Sequence, residues 1–254
     1  MTTNTSLSEQ LHHLDRPARI ALIGAMDQEV ELLKQNLSDL ESHRLSGFDF
    51  FTGTMKGVEI ILLKSGIGKV NAAIGTTLLL QMFKPDGVIN TGSAGGFDET
   101  LDVGDVVISE RVCHHDVDLT VFGYEPGQVP GLPPKFTADP LLSRFAEESI
   151  AGMSSARTVR GLIATGDSFM NCPERVAETR KHFPSVKAVE MEAAAIAQTC
   201  HQFGTPFIVI RALSDIAGKE SNLSFEQFLE KAATHSAEMV MAIIAKIASY
   251  SLNK

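Results

Sequence analysis

Three acidic residues stand where an α/β protein would place its chemistry. Glu29 lies four residues beyond Ala25, the end of the apolar run RIALIGA; Glu192 follows AVEM; Asp215 follows the apolar run PFIVI by a few residues, in RALSD. Ligands of open α/β sheets sit outside the carboxyl ends of the strands, so three such acids can project into one crevice. Carboxyls grouped in this way are the tools of general acid and general base catalysis. Taken singly, each is better explained as a charge that complements the dipole at a helix N-terminus. Asp215 fits that explanation least, because a carboxylate directly after a buried strand serves no packing purpose. Arg211, four residues upstream, can still be its ion-pair partner.

Other motifs carry less. TGSAGG (91–96) and SGIGK (65–69) read as tight glycine turns whose N–H groups can approach an electron-rich ligand atom. Neither matches GxGxxG or the P-loop, so neither a dinucleotide nor a nucleoside triphosphate is supported. His114-His115-Asp116 lacks the HExxH spacing or a matched ligand cluster, and reads as a structural or solvated pair rather than a metal site. TGDSF is not GxSxG, and no Ser-His-Asp constellation emerges. Met26, Ile67, Phe122, Phe169, Met170 and Phe225 are core residues by type, but lying near the glycine turns and the acids makes them candidate pocket walls.

The elements that must position these residues are short apolar runs alternating with segments of helical period from Arg19 almost to the end, which predicts an α/β fold. RIALIGA reads as a buried strand, and 26–37 as an amphipathic helix with Val30, Leu33 and Leu37 on one face. FDFFTGTM and VEIILLKSG, divided by Lys56-Gly57, predict a hairpin, followed by a helix over 69–83. DGVINTGSAGG reads as a short strand ending in a glycine turn, and VGDVVISERV as a further strand. The Gly- and Pro-rich stretch 114–140 predicts a long loop, of a length that usually has a function. Beyond it a helix from Pro140 to Ala151, strand VRGLIATG, helix PERVAETRKHF, strand AVEM, helix EAAAIAQTCHQF, strand PFIVIRA and a helix over 224–250 restore the alternation. No repeat or linker interrupts it, so 19–254 reads as one domain.

Composition narrows the partners. With 44% hydrophobic residues over 254, the chain can bury a sizeable core. Its 22 basic and 31 acidic residues leave a formal charge of −9, which disfavours nucleic acid or an anionic membrane as the main partner and suits a small neutral or cationic ligand. Cys113, Cys172 and Cys200 are too few and scattered for a disulfide framework, and a reducing cytoplasm is expected. Residues 1–18 have no apolar core for a signal peptide and read as a polar, mobile tail; no run of eighteen apolar residues occurs anywhere.

Together, GAMDQEVELL, LKSGIGKVNAA, INTGSAGG, VGDVVIS, HHDVDLTVFGYEPGQVPG, GLIATGDSF, AVEMEAAAIA and RALSDIAG resemble the 5'-methylthioadenosine/S-adenosylhomocysteine nucleosidases, of the nucleoside phosphorylase superfamily. The resemblance is collinear from Arg19 to the C-terminal helix; the chain departs from the commonest pattern at Asp27 and Gln28 and in its N-terminal extension. It implies a single three-layer α/β/α domain with a central mixed sheet, a homodimer, and hydrolysis of the bond between adenine and a 5'-thio-substituted ribose without metal or cofactor. Glu29 would activate water, Asp215 protonate the purine, and Glu192 hold the ribose hydroxyls with Met191 beside the sugar. Phe169 would stack on adenine, with the backbone at Phe169 and Met170 reading its edge. Ser214 would steady Asp215, and Ser93 lie near the water. Met26, Ile67 and Phe225 would hold the 5'-alkylthio group, and Phe122 and Pro130 of the long loop would reach in from the partner subunit.

The chemistry is coherent. Adenine leaves poorly as an anion, so the acid must hold a proton near neutrality, which for a carboxyl of ordinary pKa ~3.9 requires burial or a neighbouring charge. The sugar gains oxocarbenium character and water attacks from the opposite face. A phosphate-dependent relative is the nearest rival, but phosphate needs cations. Asn90 and Glu29 stand here where hexameric bacterial phosphorylases carry basic residues. Aminofutalosine hydrolysis is an alternative within the hydrolases. A relative that only binds would be expected to lack one of the three acids.

Overall fold

The computed structural model describes residues 6–150, 156–219 and 221–252; residues 1–5 of the tail and Ala151, the expected helix end, lie outside that range. The chain begins with α1 (Leu7–His12), continues through β1 (Arg19–Gly24), α2 (Asp27–Gln35), β2 (Ser38–Leu45), β3 (Phe48–Met55), β4 (Val58–Lys64) and α3 (Lys69–Phe83), and reaches β5 (Gly87–Gly96). After β6 (Val106–His114), a 3-10 turn at Thr120–Phe122 and β7 (Phe136–Thr137), helices and strands alternate again. These are α4 (Pro140–Ile150), β8 (Thr158–Thr165), α5 (Pro173–His182), β9 (Val186–Glu190), α6 (Ala193–Phe203), β10 (Phe207–Ile216) and α7 (Ser221–Leu252).

One mixed sheet runs in the order β10-β6-β8-β9-β5-β1-β4-β3-β2, with β7 on β6. Because β10 also pairs with β5, the five strands β5, β10, β6, β8 and β9 close into a ring, and β1 to β4 extend from it. Strands near the centre are buried on both faces and so read as unbroken apolar runs. Ile20 and Leu22 of β1 pack with Leu33, Leu142 and Val240 from α2, α4 and α7. Ala21 and Ile23 face the other way, onto Ala72 and Leu79 of α3 and Ala197 of α6. A third cluster joins Val176 of α5 to Ala164 and Val189. No helix among the described residues is long and apolar enough to cross a membrane.

Three local readings differ from the structure. β2 has no counterpart among the strands expected from sequence: SDLESHRL is polar and exposed along almost its whole length because it is the sheet's edge strand. TGSAGG is no turn but the second half of β5. The third concerns the segment expected to be a polar tail. There Ser6 caps α1, and Leu7 and Leu11, one helical turn apart, are fully buried. The Leu7 N–H donates to Asp139 Oδ2 at 3.1 Å, and Arg16 grips the two carboxylate oxygens of Asp86 with Nη2 and Nη1 at 2.7 and 3.0 Å. Two leucines set four apart in a polar segment are enough to seat a short helix when a hollow exists to receive them. Truncating Leu11→Ala is therefore expected to lower stability by about 2–3 kcal/mol in urea unfolding. A loss below about 0.5 kcal/mol would show that the extension is not docked.

Candidate active site

The turn from β1 into α2 sets Glu29 at the third position of the helix. Its Oε2 accepts the backbone N–H groups of Ala25 (2.8 Å) and Met26 (3.2 Å), which satisfies donors that a helix start leaves without partners. The other oxygen, Oε1, accepts both the N–H and the hydroxyl of Ser93, each at 2.9 Å. The helix-terminus role and a site role thus belong to different oxygens of one buried carboxylate.

Ser93 can reach Glu29 because β5 runs straight through TGSAGG. A Cβ at Gly92, whose φ is +150°, would overlap Arg211 Nη1 and stand 2.6 Å from Glu29 Oε1. No side chain fits between those two groups, so Gly92→Ala must displace one of them. We expect a loss of about 1–3 kcal/mol in chemical unfolding together with loss of activity, and a variant of native stability would contradict this packing.

Asp215 does not follow a strand; it lies within β10, which continues through LSDI. The register on β5 shifts between Leu213 and Asp215, leaving Asp215 opposite Gly95. The bulge re-aims the side chain, whose Oδ1 accepts the Ser214 hydroxyl at 2.9 Å. Burial pushes this carboxyl up to about 6, against the downward pull of the Ser214 bond.

Arg211 is not the partner of Asp215. Along a strand, four residues span about 13 Å, so the i,i+4 pairing of helices does not apply. Fully buried, Arg211 bonds Glu190 Oε2 at 2.5 Å, Asn90 Oδ1 at 2.9 Å and the Thr91 carbonyl at 3.1 Å, and stands 3.6 Å from Glu192. Glu190 in turn accepts the N–H groups of Glu192 (2.9 Å) and Ala193 (2.8 Å) at the start of α6, and the Thr165 hydroxyl. Glu192 Oε1 accepts the Gly68 N–H at 2.9 Å. Burial, then the Glu190 charge, push the Glu192 carboxyl up to about 8, outweighing the opposing effects of Arg211 and the Gly68 N–H.

These groups border one cavity of about 200 Å³. Glu29, Ser93, Glu192, Ser214 and Asp215 form its polar wall; Met26, Ile67, Phe169, Met191 and Phe225 form its apolar one. The Phe169 and Phe225 rings meet edge to face at 5.7 Å. Met170 borders an adjoining hollow of about 30 Å³, shared with Phe169 and Asp215. Phe122 and Pro130 do not border the cavity of this chain, and Phe122 is 74% exposed. Sequence reasoning missed Ala25, Ala94, Gly95, Val189 and Glu190, which also line it. Glu190 had a signal: a basic residue inside an apolar strand demands a buried counter-charge, and EME offers two.

The arrangement brings two carboxyls of different environment to one pocket with an apolar wall, which suits acid–base cleavage of an uncharged ligand. The sequence model of the phosphorylase superfamily matches residues 19–245. The 5'-methylthioadenosine/S-adenosylhomocysteine nucleosidase of Bacillus subtilis (strain 168) is 60% identical over 229 residues, 90% of this chain and 99% of that protein. The nucleosidase of that name from Neisseria meningitidis, solved with methylthio-immucillin-A, matches with a TM-score of 0.88 at 50% identity, over 90% of this chain and 99% of that one. The one from Colwellia psychrerythraea, solved with adenine, matches with a TM-score of 0.90 at 48% identity, over 91% and 96%. By sequence and by fold, the chain belongs to the phosphorylase superfamily and, within it, to the 5'-methylthioadenosine/S-adenosylhomocysteine nucleosidases.

Proposed function

We propose that this chain hydrolyses the N-glycosidic bond of 5'-methylthioadenosine and S-adenosylhomocysteine, releasing adenine and the 5-thioribose product. 5'-Deoxyadenosine, which keeps the same reacting bond, is a further substrate. The observation that carries the reading is the meeting of Glu29, Ser93, Glu192 and Asp215 on one cavity with an apolar far wall. Asp215 is the acid: buried and lifted to about 6, it can deliver a proton to the purine as the bond to the anomeric carbon weakens. Ser214 steadies it through the 2.9 Å bond. Glu29 is the base that draws a proton from water, with Ser93 beside it, and Glu192 holds the ribose hydroxyls next to Met191. Phe169 is the stacking face for adenine, with the backbone at Phe169 and Met170 reading its edge. Met26, Ile67 and Phe225 receive the 5'-alkylthio group.

Water rather than phosphate is the nucleophile. An anion entering beside Glu29 meets acidic neighbours, while the buried cation close by, Arg211, is already engaged by Glu190, Asn90 and Thr91. The working unit is a homodimer in which the loop 114–140 supplies Phe122 and Pro130 to the neighbouring site; the exposure of Phe122 supports this. We assign the reaction to a reducing cytoplasm, in keeping with three free cysteines. The test is adenine release from methylthioadenosine in phosphate-free buffer: full turnover is expected, and strict dependence on added phosphate would overturn the hydrolase reading.

A further inference from the structure

The HHD motif takes no part in the function just described. His114 Nε2 lies 3.0 Å from Gln198 Oε1 on α6, and the His115 ring packs against Gly166, filling the space that a Cβ there would need. Both histidines thus fix the end of β6, and Asp116 stands two residues beyond it. Asp116 Oδ1 accepts the Lys69 ammonium at 2.6 Å, and Oδ2 accepts the Asp167 N–H at 3.0 Å. Asp167 Oδ1 then accepts the Lys69 N–H at 2.8 Å, which closes a ring of three bonds.

Each corner of that ring adjoins a wall of the site. Lys69 follows Ile67 and Gly68, and the Gly68 N–H holds Glu192. Gly68 has φ +96°, and a Cβ there would stand 3.2 Å from Asp167 Oδ1, so the backbone makes this approach only as glycine. Asp167 precedes Phe169 by two residues, and Asp116 opens the segment that carries Phe122 and Pro130. Burial alone would push the Asp116 carboxyl up; the bonds from Lys69 and Asp167 hold it below the usual carboxylate range.

We propose that Asp116 is a positioning residue: through Lys69 and Asp167 it holds the Ile67–Gly68 wall at a set distance from the Phe169 wall, and so governs affinity for the nucleoside rather than the rate of its cleavage. This rests on the function proposed above. An isolated exposed ion pair contributes little, but here the pair is one side of a closed ring joining segments 47 and 51 residues apart. Loosening the ring weakens ground-state and transition-state binding together, which raises KM and leaves kcat nearly as it was.

The test uses the full chain with methylthioadenosine, and the variants Asp116→Asn, Lys69→Met and their combination. KM is expected to rise about tenfold in each single variant with kcat within about threefold, and the double variant to be no worse than the poorer single, since both cut one ring. A purely structural role would instead lower thermal stability and leave KM unchanged. KM within about twofold of wild type in both singles, or additive losses in the double, would overturn the proposal. Should Asp116→Asn fail to fold, Lys69→Met decides alone, because Lys69 is a partly exposed side chain. Absence of wild-type turnover would remove the function and this role together, whereas normal wild-type turnover with unaltered variants would remove this role alone.

Discussion

Asp215→Asn is expected to abolish turnover while making the protein more stable. If Asp215 protonates the purine, the amide has no proton to give, and kcat should fall by about 10²–10⁴, the usual worth of general acid catalysis. Stability moves the other way. In the unfolded chain the group titrates at its ordinary value of 3.8, and in the folded protein burial raises it to about 6. Below 3.8 both states hold the proton and the difference vanishes; as pH rises towards 6 the unfolded chain releases its proton first, so the native state is penalised, fully so above 6. A carboxyl raised from 3.8 to about 6 weakens the fold by about 3 kcal/mol once it is ionised, of which the amide's own burial cost leaves a gain on the order of 1–2 kcal/mol at about pH 7.5. The gain should disappear near pH ~4 in urea unfolding, and a variant equally stabilised at both values would refute the linkage. The same value shapes the wild-type profile. If Asp215 is the acid, only its protonated form is active, so kcat/KM should fall about tenfold per pH unit above 6, a limb that Asp215→Asn removes.

The second large effect is structural in origin. Arg211→Met leaves Glu190 buried without its cation and frees Asn90 Oδ1 and the Thr91 carbonyl at the same stroke. Breaking a buried pair from one side typically costs about 3–5 kcal/mol, far more than the intact pair contributes. Glu190 also holds the first N–H groups of α6, and Glu192 sits at that helix start, so the ribose side of the cavity should be disturbed with it. Adding Glu190→Gln to the arginine variant removes the stranded charge and is expected to restore a third to a half of the lost stability. Urea midpoints of the two single variants and the double measure this. An Arg211→Met variant within about 1 kcal/mol of wild type would show that the network does not bear on stability.

Much of the site was legible because strand ends and apolar runs have plain signatures. RIALIGA, PFIVIRA and AVEM read as strands because their side chains are largely buried, and Glu29, Glu192 and Asp215 stood out as charges close to their C-terminal ends. Edge strand β2 carried no such signature, since an exposed ladder needs no apolar side chains. Glycines misled in TGSAGG. They are absences of side chains forced by close neighbours, Arg211 and Glu29 at Gly92 and Asp215 at Gly95, and not the mark of a chain reversal.

By itself, the sequence determined the α/β class, the central apolar strands and the three acids near their ends, because these follow from residue type and spacing along the chain. Only the tertiary structure decided which charges meet. Arg211 joined Glu190 instead of Asp215 because separation along an extended strand keeps near neighbours apart, while pairing across the β5, β9 and β10 junction brings distant ones together. The closure of five strands into a ring, the bulge that turns Asp215 and the clamp at Asp116 have the same cause: hydrogen-bond register and burial are properties of the assembled sheet. No local stretch of residues encodes them.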